Sequence, residues 1–371
     1  MYSVYQHWDP LKVCAVGRSY PPEYYSWIQN VKVRTLFEKI ALETEEDYQL
    51  IISKLQEFEV EIVRPNLPLI SNQEQELLPP PMNPRDNMVM IGQKFHTRLK
   101  NWQAFYQSVK DPSWPQVGSL AELETWQQQE CINTGWCELE SWNHCWQPIY
   151  DKVLANANPI KVEDQHPYIN GAATSRIGKD LYFSVYQNEK CEDYLRQHFQ
   201  EYRTHVIRTL GHGDGTYCPV APGLIISLRD VKTYEHTFPG WEVVYLPDQS
   251  WHAVKPFLDL KTRNGGRWWI PGWEYDQDVV DIVETWLSKW VGYVEETVFD
   301  VNMLIVDPKN VIVFNYNDTV FRALERFGIT PHVVTFRHRY FWDGGIHCVT
   351  LDLDRSGHMQ DFFPDRDHEK F

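Results

Sequence analysis

Residues 303–336 spell out one complete folding unit, and that unit limits what the chain can become. Met303-Leu304-Ile305-Val306 is a strand-forming run, and Asp307-Pro308-Lys309-Asn310 is built from turn formers. Val311-Ile312-Val313-Phe314 is a second strand. Asn317-Asp318-Thr319 then caps a helix carrying Val320, Ala323, Leu324 and Phe327, and Gly328 ends it. His332-Val333-Val334-Thr335-Phe336 is a third strand. The order strand, strand, helix, strand recurs imperfectly upstream, which makes the chain an α/β assembly of such modules.

Upstream, Trp8-Asp9-Pro10-Leu11 turns into a strand over 12–17. Thr44-Glu45-Glu46-Asp47 has the form of a helix start, and Tyr48, Ile51, Ile52, Leu55 and Phe58 continue it at helical spacing. Glu59-Val60-Glu61-Ile62-Val63 alternates as a strand. Pro79-Pro80-Pro81 is a connector, followed by Asn83-Pro84-Arg85-Asp86 and the apolar run 88–92. Residues 94–163 are the least periodic, with helical pieces expected around 121–128. Strands follow over 181–185, 205–208, 224–227 and 241–246, with helices over 189–202 and from Val279 to Trp290.

Composition narrows the function. The 371 residues carry a formal net charge of −16, which argues against nucleic acid and anionic membrane as partners and suits a cationic small molecule. No apolar run reaches membrane-spanning length and the N-terminus lacks a secretory pattern, so a cytoplasmic protein is expected. Seven cysteines argue against a disulfide framework. The spacing of Cys131, Cys137 and Cys145 with His144 fits no common zinc pattern.

Four short segments have the residue types of a reactive site: Arg85-Asp86, Asn170-Gly171-Ala172-Ala173, His212-Gly213-Asp214, and Gly344-Gly345-Ile346-His347-Cys348. Each alone reads more readily as structural; a lone cysteine, in particular, is usually buried core. Together, and in this order, they resemble the amidinotransferases of the arginine:glycine type within the guanidine-modifying, or pentein, superfamily. The resemblance runs over nearly the whole chain, from the tryptophan-x-Pro-Leu-Lys entry into a Val-Gly strand, through Pro-Arg-Asp and His-x-Asp-x-Thr-aromatic, to Gly-Gly-x-His-Cys-x-Thr. It implies an α/β fold, a five-bladed α/β propeller of ββαβ modules around a central active site, with residues 1–371 as a single domain.

The resemblance also implies a chemistry. Cys348 is the expected nucleophile on a guanidinium carbon, forming an amidino-cysteine intermediate. Asp86 and Asp214, with Arg85 beside them, are the expected substrate contacts, because carboxylates pair well with planar fork-shaped cations. His212 is the expected acid and base, and His347 is set aside from that role. The partners implied are an arginine-like guanidino donor and an amine acceptor, with no metal or organic cofactor, and with room for a homodimer.

Two departures sharpen the expectations. Asn170 stands where the family has an aspartate; it can orient an imidazole but cannot balance its charge. Glu295 and Glu296 fall where arginine-using relatives place serines that hold the α-carboxylate, and Val231, with Arg229 nearby, where they place an arginine. A glutamate pair would repel a carboxylate, so at least one substrate is expected to present an amine or neutral group there. The alternatives to transfer are a guanidine hydrolase of the same superfamily and a guanidine-binding protein without catalysis.

Overall fold

The computed structural model describes residues 1–68, 79–97, 139–162, 166, 168–185, 190–209, 211–228, 234–246, 267–288, 290–291, 298–342 and 344–366. Within them, β1 (Leu11–Val16), α1 (Val31–Glu57) and β2 (Glu61–Val63) open the chain. The second unit is β3 (Met88–Ile91), β4 (Lys94–Thr97), α2 (Leu139–Leu154) and β5 (Asn158–Lys161). The third is β6 (Thr174–Ile177), β7 (Asp180–Val185), α3 (Glu192–His198) and β8 (Arg203–Arg208). The fourth is β9 (Tyr217–Ala221), β10 (Leu224–Ser227), α4 (Tyr234–Thr237) and β11 (Glu242–Tyr245). After α5 (Gln277–Trp286) and α6 (Val298–Val301) comes the fifth, β12 (Leu304–Asp307), β13 (Asn310–Val313), α7 (Asp318–Arg326) and β14 (Thr330–Val333). β15 (Thr350–Arg355) ends the series.

These strands make five three-stranded sheets of one design. In each, the first two strands pair antiparallel and the second and third pair parallel across a helix. The first unit lacks its own leading strand, and β15 supplies it by pairing antiparallel with β1. The two ends of the chain therefore share one sheet, and the row of modules closes on itself.

The last module forms as its sequence dictates. The Asn317 side chain accepts from the Thr319 and Val320 amides to cap α7, and Gly328, at φ +70°, follows its end. The first helix corrects the sequence reading. It begins at Val31, capped by Asn30, and runs thirteen residues upstream of the expected start at Thr44. Thr44 and Asp47 mimic a cap in sequence but lie buried in mid-helix. Thr44 donates to the Ile40 carbonyl and accepts from the Trp342 indole, while Asp47 accepts from the Arg337 backbone and guanidinium.

The leading strands β3, β6 and β9 are buried at every residue. Each begins one to three residues after the end of one of the segments singled out in the sequence. The helical pieces expected around 121–128 lie outside the described residues, as do Cys131 and Cys137; Cys145 is buried in the core beside β3.

Candidate active site

The loops entering the five leading strands meet and are tied into a closed circuit of hydrogen bonds. The Gly171 amide donates to the Arg85 carbonyl at 2.9 Å, joining the β6 and β3 loops. The Asp214 amide donates to the Ala172 carbonyl at 3.0 Å, joining β9 to β6. Asn302 Nδ2 donates to the Asp214 carbonyl at 3.1 Å, joining β12 to β9. The His347 amide donates to Asn302 Oδ1 at 2.8 Å, joining β15 to β12. Arg85 Nε donates to the His347 carbonyl at 2.6 Å, which closes the circuit. One loop from each module takes part.

Cys348 sits in this circuit on the turn before β15. Its Sγ donates to Asp214 Oδ2 at 3.3 Å and accepts from Asn302 Nδ2 at 3.1 Å. The turn needs its glycines. Gly344 has φ +103°, and a Cβ there would lie 2.6 Å from Cys348 Cβ. A Cβ on Gly345 would meet Asn302 Oδ1 at 2.5 Å. These glycines let the backbone bring thiol and carboxamide together.

Asp214 is the electrostatic centre. Its Oδ2 accepts from His347 Nδ1 at 2.9 Å as well as from the thiol. Its Oδ1 is buried and makes no hydrogen bond among the described residues. Burial alone would raise its pKa, but the His347 hydrogen bond and the nearby His347, His212 and Arg85 hold it below the ordinary carboxylate value. Burial, and then the Arg85 guanidinium, push His347 down to about 4. At neutral pH the pair is thus a neutral imidazole donating to a carboxylate.

Asp86 and His212 stand at the more open edge, with His212 Nδ1 3.8 Å from Asp86 Oδ1 and its side chain half exposed. Asn170 is buried, and its Oδ1 accepts from the Ala173 amide at 2.8 Å, shaping the turn that carries the Gly171 and Ala172 links. Arg85, expected beside the substrate, is instead fully buried. Its guanidinium contacts the His347 and Thr350 carbonyls and lies 3.1 Å from Asp352. That places it beneath the Cys348 turn as a support. Glu295, Glu296, Arg229 and Val231 lie outside the described residues.

Sequence reasoning passed over Asn302. It lies two residues ahead of its leading strand, as Asp86 and Cys348 do of theirs, and that repeated offset is the signal that could have found it.

No family model matches the chain. The architecture matches that of a solved amidinotransferase from Microseira wollei, of the saxitoxin biosynthetic pathway, with a TM-score of 0.62, 17% identity and coverage of 98% of this chain and 99% of that one. The fold is therefore the five-module pentein propeller that the sequence implied. In sequence the chain is 26% identical over 222 residues to the L-arginine:L-lysine amidinotransferase of Pseudomonas savastanoi pv. phaseolicola, covering 58% of this chain and 51% of that protein. It is 22% identical over 400 residues to inosamine-phosphate amidinotransferase 1 of Streptomyces glaucescens, covering 98% and 99%. The chain spans about half the length of the first of these relatives. The chain is thus similar in sequence to amidinotransferases, and it shares the fold of a solved one.

Proposed function

We propose that this protein transfers an amidino group from an arginine-like guanidino donor to an amine, through a covalent adduct on Cys348. The observation that carries the reading is the double use of Asp214. One oxygen holds the thiol and His347, and the other is a buried acceptor with no donor among the described residues. A guanidinium presents N–H groups and positive charge, the two things such an oxygen lacks.

The chemistry follows from the layout. In the resting site the Cys348 thiol faces a carboxylate, which disfavours the thiolate. A guanidinium on Asp214 and Asp86 offsets that charge, so substrate binding itself promotes the nucleophile. The thiol's proton passes to His212, the thiolate attacks the guanidinium carbon, the carbon–nitrogen bond to the donor body breaks, and His212 gives that proton to the departing amine. The incoming amine returns a proton to His212, attacks the same carbon and expels the thiolate. Asp86, rather than Asn170, brings a carboxylate near His212, so the charge that Asn170 lacks is supplied from the β3 loop.

The five modules act in this reading as one catalytic domain with no cofactor, in the cytoplasm. Among the described residues no helix is long and apolar enough to cross a membrane. Glu295 and Glu296 remain part of the proposal as determinants that disfavour a carboxylate; Glu295→Ser and Glu296→Ser should then shift preference from agmatine toward arginine.

The test is intact mass after incubation with arginine, agmatine and related guanidines, with Cys348→Ala as control. An amidino adduct on the wild type alone is expected, followed by its transfer to an added amine. Ammonia release without transfer would mean hydrolysis, and no adduct with any guanidine would mean binding only.

A further inference from the structure

Beside the Cys348 turn lies a cavity of about 180 Å³ whose walls are mostly rings. Three indoles, Trp146, Trp290 and Trp342, and three consecutive prolines line it, together with Asn83 and Asp86. The tryptophans come from separate places: α2, the segment after α5, and the approach to the Cys348 turn. Their rings are held in place. Trp342 donates its indole N–H to Thr44 at 2.8 Å, and Trp290 and Trp342 lie 6.5 Å apart with planes 20° from parallel.

The cavity adjoins the reactive group. A Cβ on Gly344 would lie 3.4 Å from Cys348 Sγ and 3.2 Å from Asn83 Oδ1, so Asn83 belongs to the cavity wall and to the neighbourhood of the thiol. Asp86 lines the cavity and also faces His212. A compound with its nitrogen at Asp86 and His212 would have its body against the indoles.

Among the described lining residues, Asp86 is the only ionisable side chain. None of the described lining residues is a cation that could receive a carboxylate, and the net charge of −16 disfavours one further. Indole faces favour flat apolar groups and cations, and a carboxylate at one end favours an amine or guanidine there.

We infer that the Trp146–Trp290–Trp342 cavity binds the body of the amine partner, and that this partner is a carboxylate-free amine on an apolar, ring-sized body. This rests on the transfer reading for the role of Cys348 and goes beyond it in naming the class of amine.

The test uses the full chain in two arms. In the first, the Cys348 adduct is formed from agmatine and discharged with tyramine, phenethylamine, glycine or lysine, with products read by mass spectrometry. Tyramine and phenethylamine are expected to exceed glycine and lysine by at least tenfold in kcat/KM. Trp290→Ala should erase most of that preference and Trp290→Phe should restore it. An adduct that discharges to glycine or lysine as fast as to the aryl amines overturns the inference while leaving transfer intact. In the second arm, Cys348→Ser is titrated with phenethylamine and with glycine, following tryptophan fluorescence. Saturable quenching by phenethylamine alone is expected, and it can be read even if no adduct forms, in which case the transfer reading fails separately. No response to phenethylamine overturns the cavity's assignment.

Discussion

At the scale of single residues, Asn302 makes four hydrogen bonds with one carboxamide. Its oxygen accepts from the His347 amide at 2.8 Å and the Cys348 amide at 3.3 Å, while its nitrogen donates to Cys348 Sγ at 3.1 Å and to the Asp214 carbonyl. The donor to sulfur stabilises a thiolate; the acceptor side fixes the turn. Two substitutions separate these roles. Asn302→Asp keeps an acceptor but puts negative charge beside the sulfur, so the pH midpoint for alkylation of Cys348 by iodoacetamide should rise by a unit or more, roughly a tenfold slower reaction at pH 7. Its fold should survive. Asn302→Ala loses both sides, with an expected stability loss of about 1–3 kcal/mol from unsatisfied buried groups. An unchanged alkylation profile in Asn302→Asp would show that the carboxamide only holds the turn.

At the scale of elements, the leading strands carry the site, and β15 carries most of it. Asp352, midway along β15, is buried among three arginines. Arg176 from β6 contacts both its oxygens at 2.8 and 2.9 Å, Arg355 reaches it at 2.7 Å, and Arg85 lies at 3.1 Å. Burial opposes its charge, but these guanidiniums hold its pKa well below the usual value. The cluster ties β15 to the β3 and β6 modules directly beneath the Cys348 turn. Asp352→Asn leaves three buried cations with too little negative charge, and the expected cost is roughly 3–5 kcal/mol. The folded pKa lies below the unfolded one, so this contribution is present above pH 4 and fades as pH falls below it. Urea unfolding of wild type and variant should therefore differ at pH 7, and the gap should narrow by at most about 1.4 kcal/mol per pH unit below pH 4. This element scale also sets what could be read in advance. The modules whose strands are aliphatic, such as β10, β12 and β13, were plain in the sequence. β4 (Lys94-Phe95-His96-Thr97), β5 (Asn158-Pro159-Ile160-Lys161) and β6 (Thr174-Ser175-Arg176-Ile177) were not, because their polar residues break the apolar pattern. In β6 those residues are nonetheless all buried. They face a centre made of ion pairs and hydrogen bonds, where the rule that strands bury aliphatic side chains gives way. The same cause hid the role of Arg85, whose place next to Asp86 in sequence suggested a substrate contact and whose side chain turns to Asp352.

At the scale of the whole molecule, closing the modules on one centre buries titratable groups that an open α/β sheet would leave wet. Among the described residues four are histidines; His205 pairs with Asp180, and the other three are His7, His347 and His96. His7 accepts from the Arg176 amide with its Nε2, and burial followed by the Arg176 charge lowers its pKa well below the ordinary value. His347 is lowered to about 4 and His96 to about 3, each chiefly by burial. His96 lies under α3, with its ring 5.7 Å from that of His198, and neither of its nitrogens has a hydrogen-bond partner in the described residues. All three are therefore neutral in the folded protein, whereas the unfolded chain protonates them near pH 6.5. Between those values the unfolded state binds more protons, so stability is complete above pH 6.5 and falls as pH drops toward 4. Each site contributes at most about 1.4 kcal/mol per pH unit, giving up to roughly 4 kcal/mol per unit for the three together. His7 and His347 are built into the centre, but His96 is separable. His96→Phe should reduce the slope by up to about 1.4 kcal/mol per pH unit and raise stability at pH 5, because it replaces a buried ring with no partner among the described residues by an apolar one of similar shape. The measurement is urea unfolding at half-unit steps from pH 7.5 to 4.5. A slope unchanged by His96→Phe would mean that this ring is wetter than its burial indicates, and that acid sensitivity arises from the two histidines at the centre.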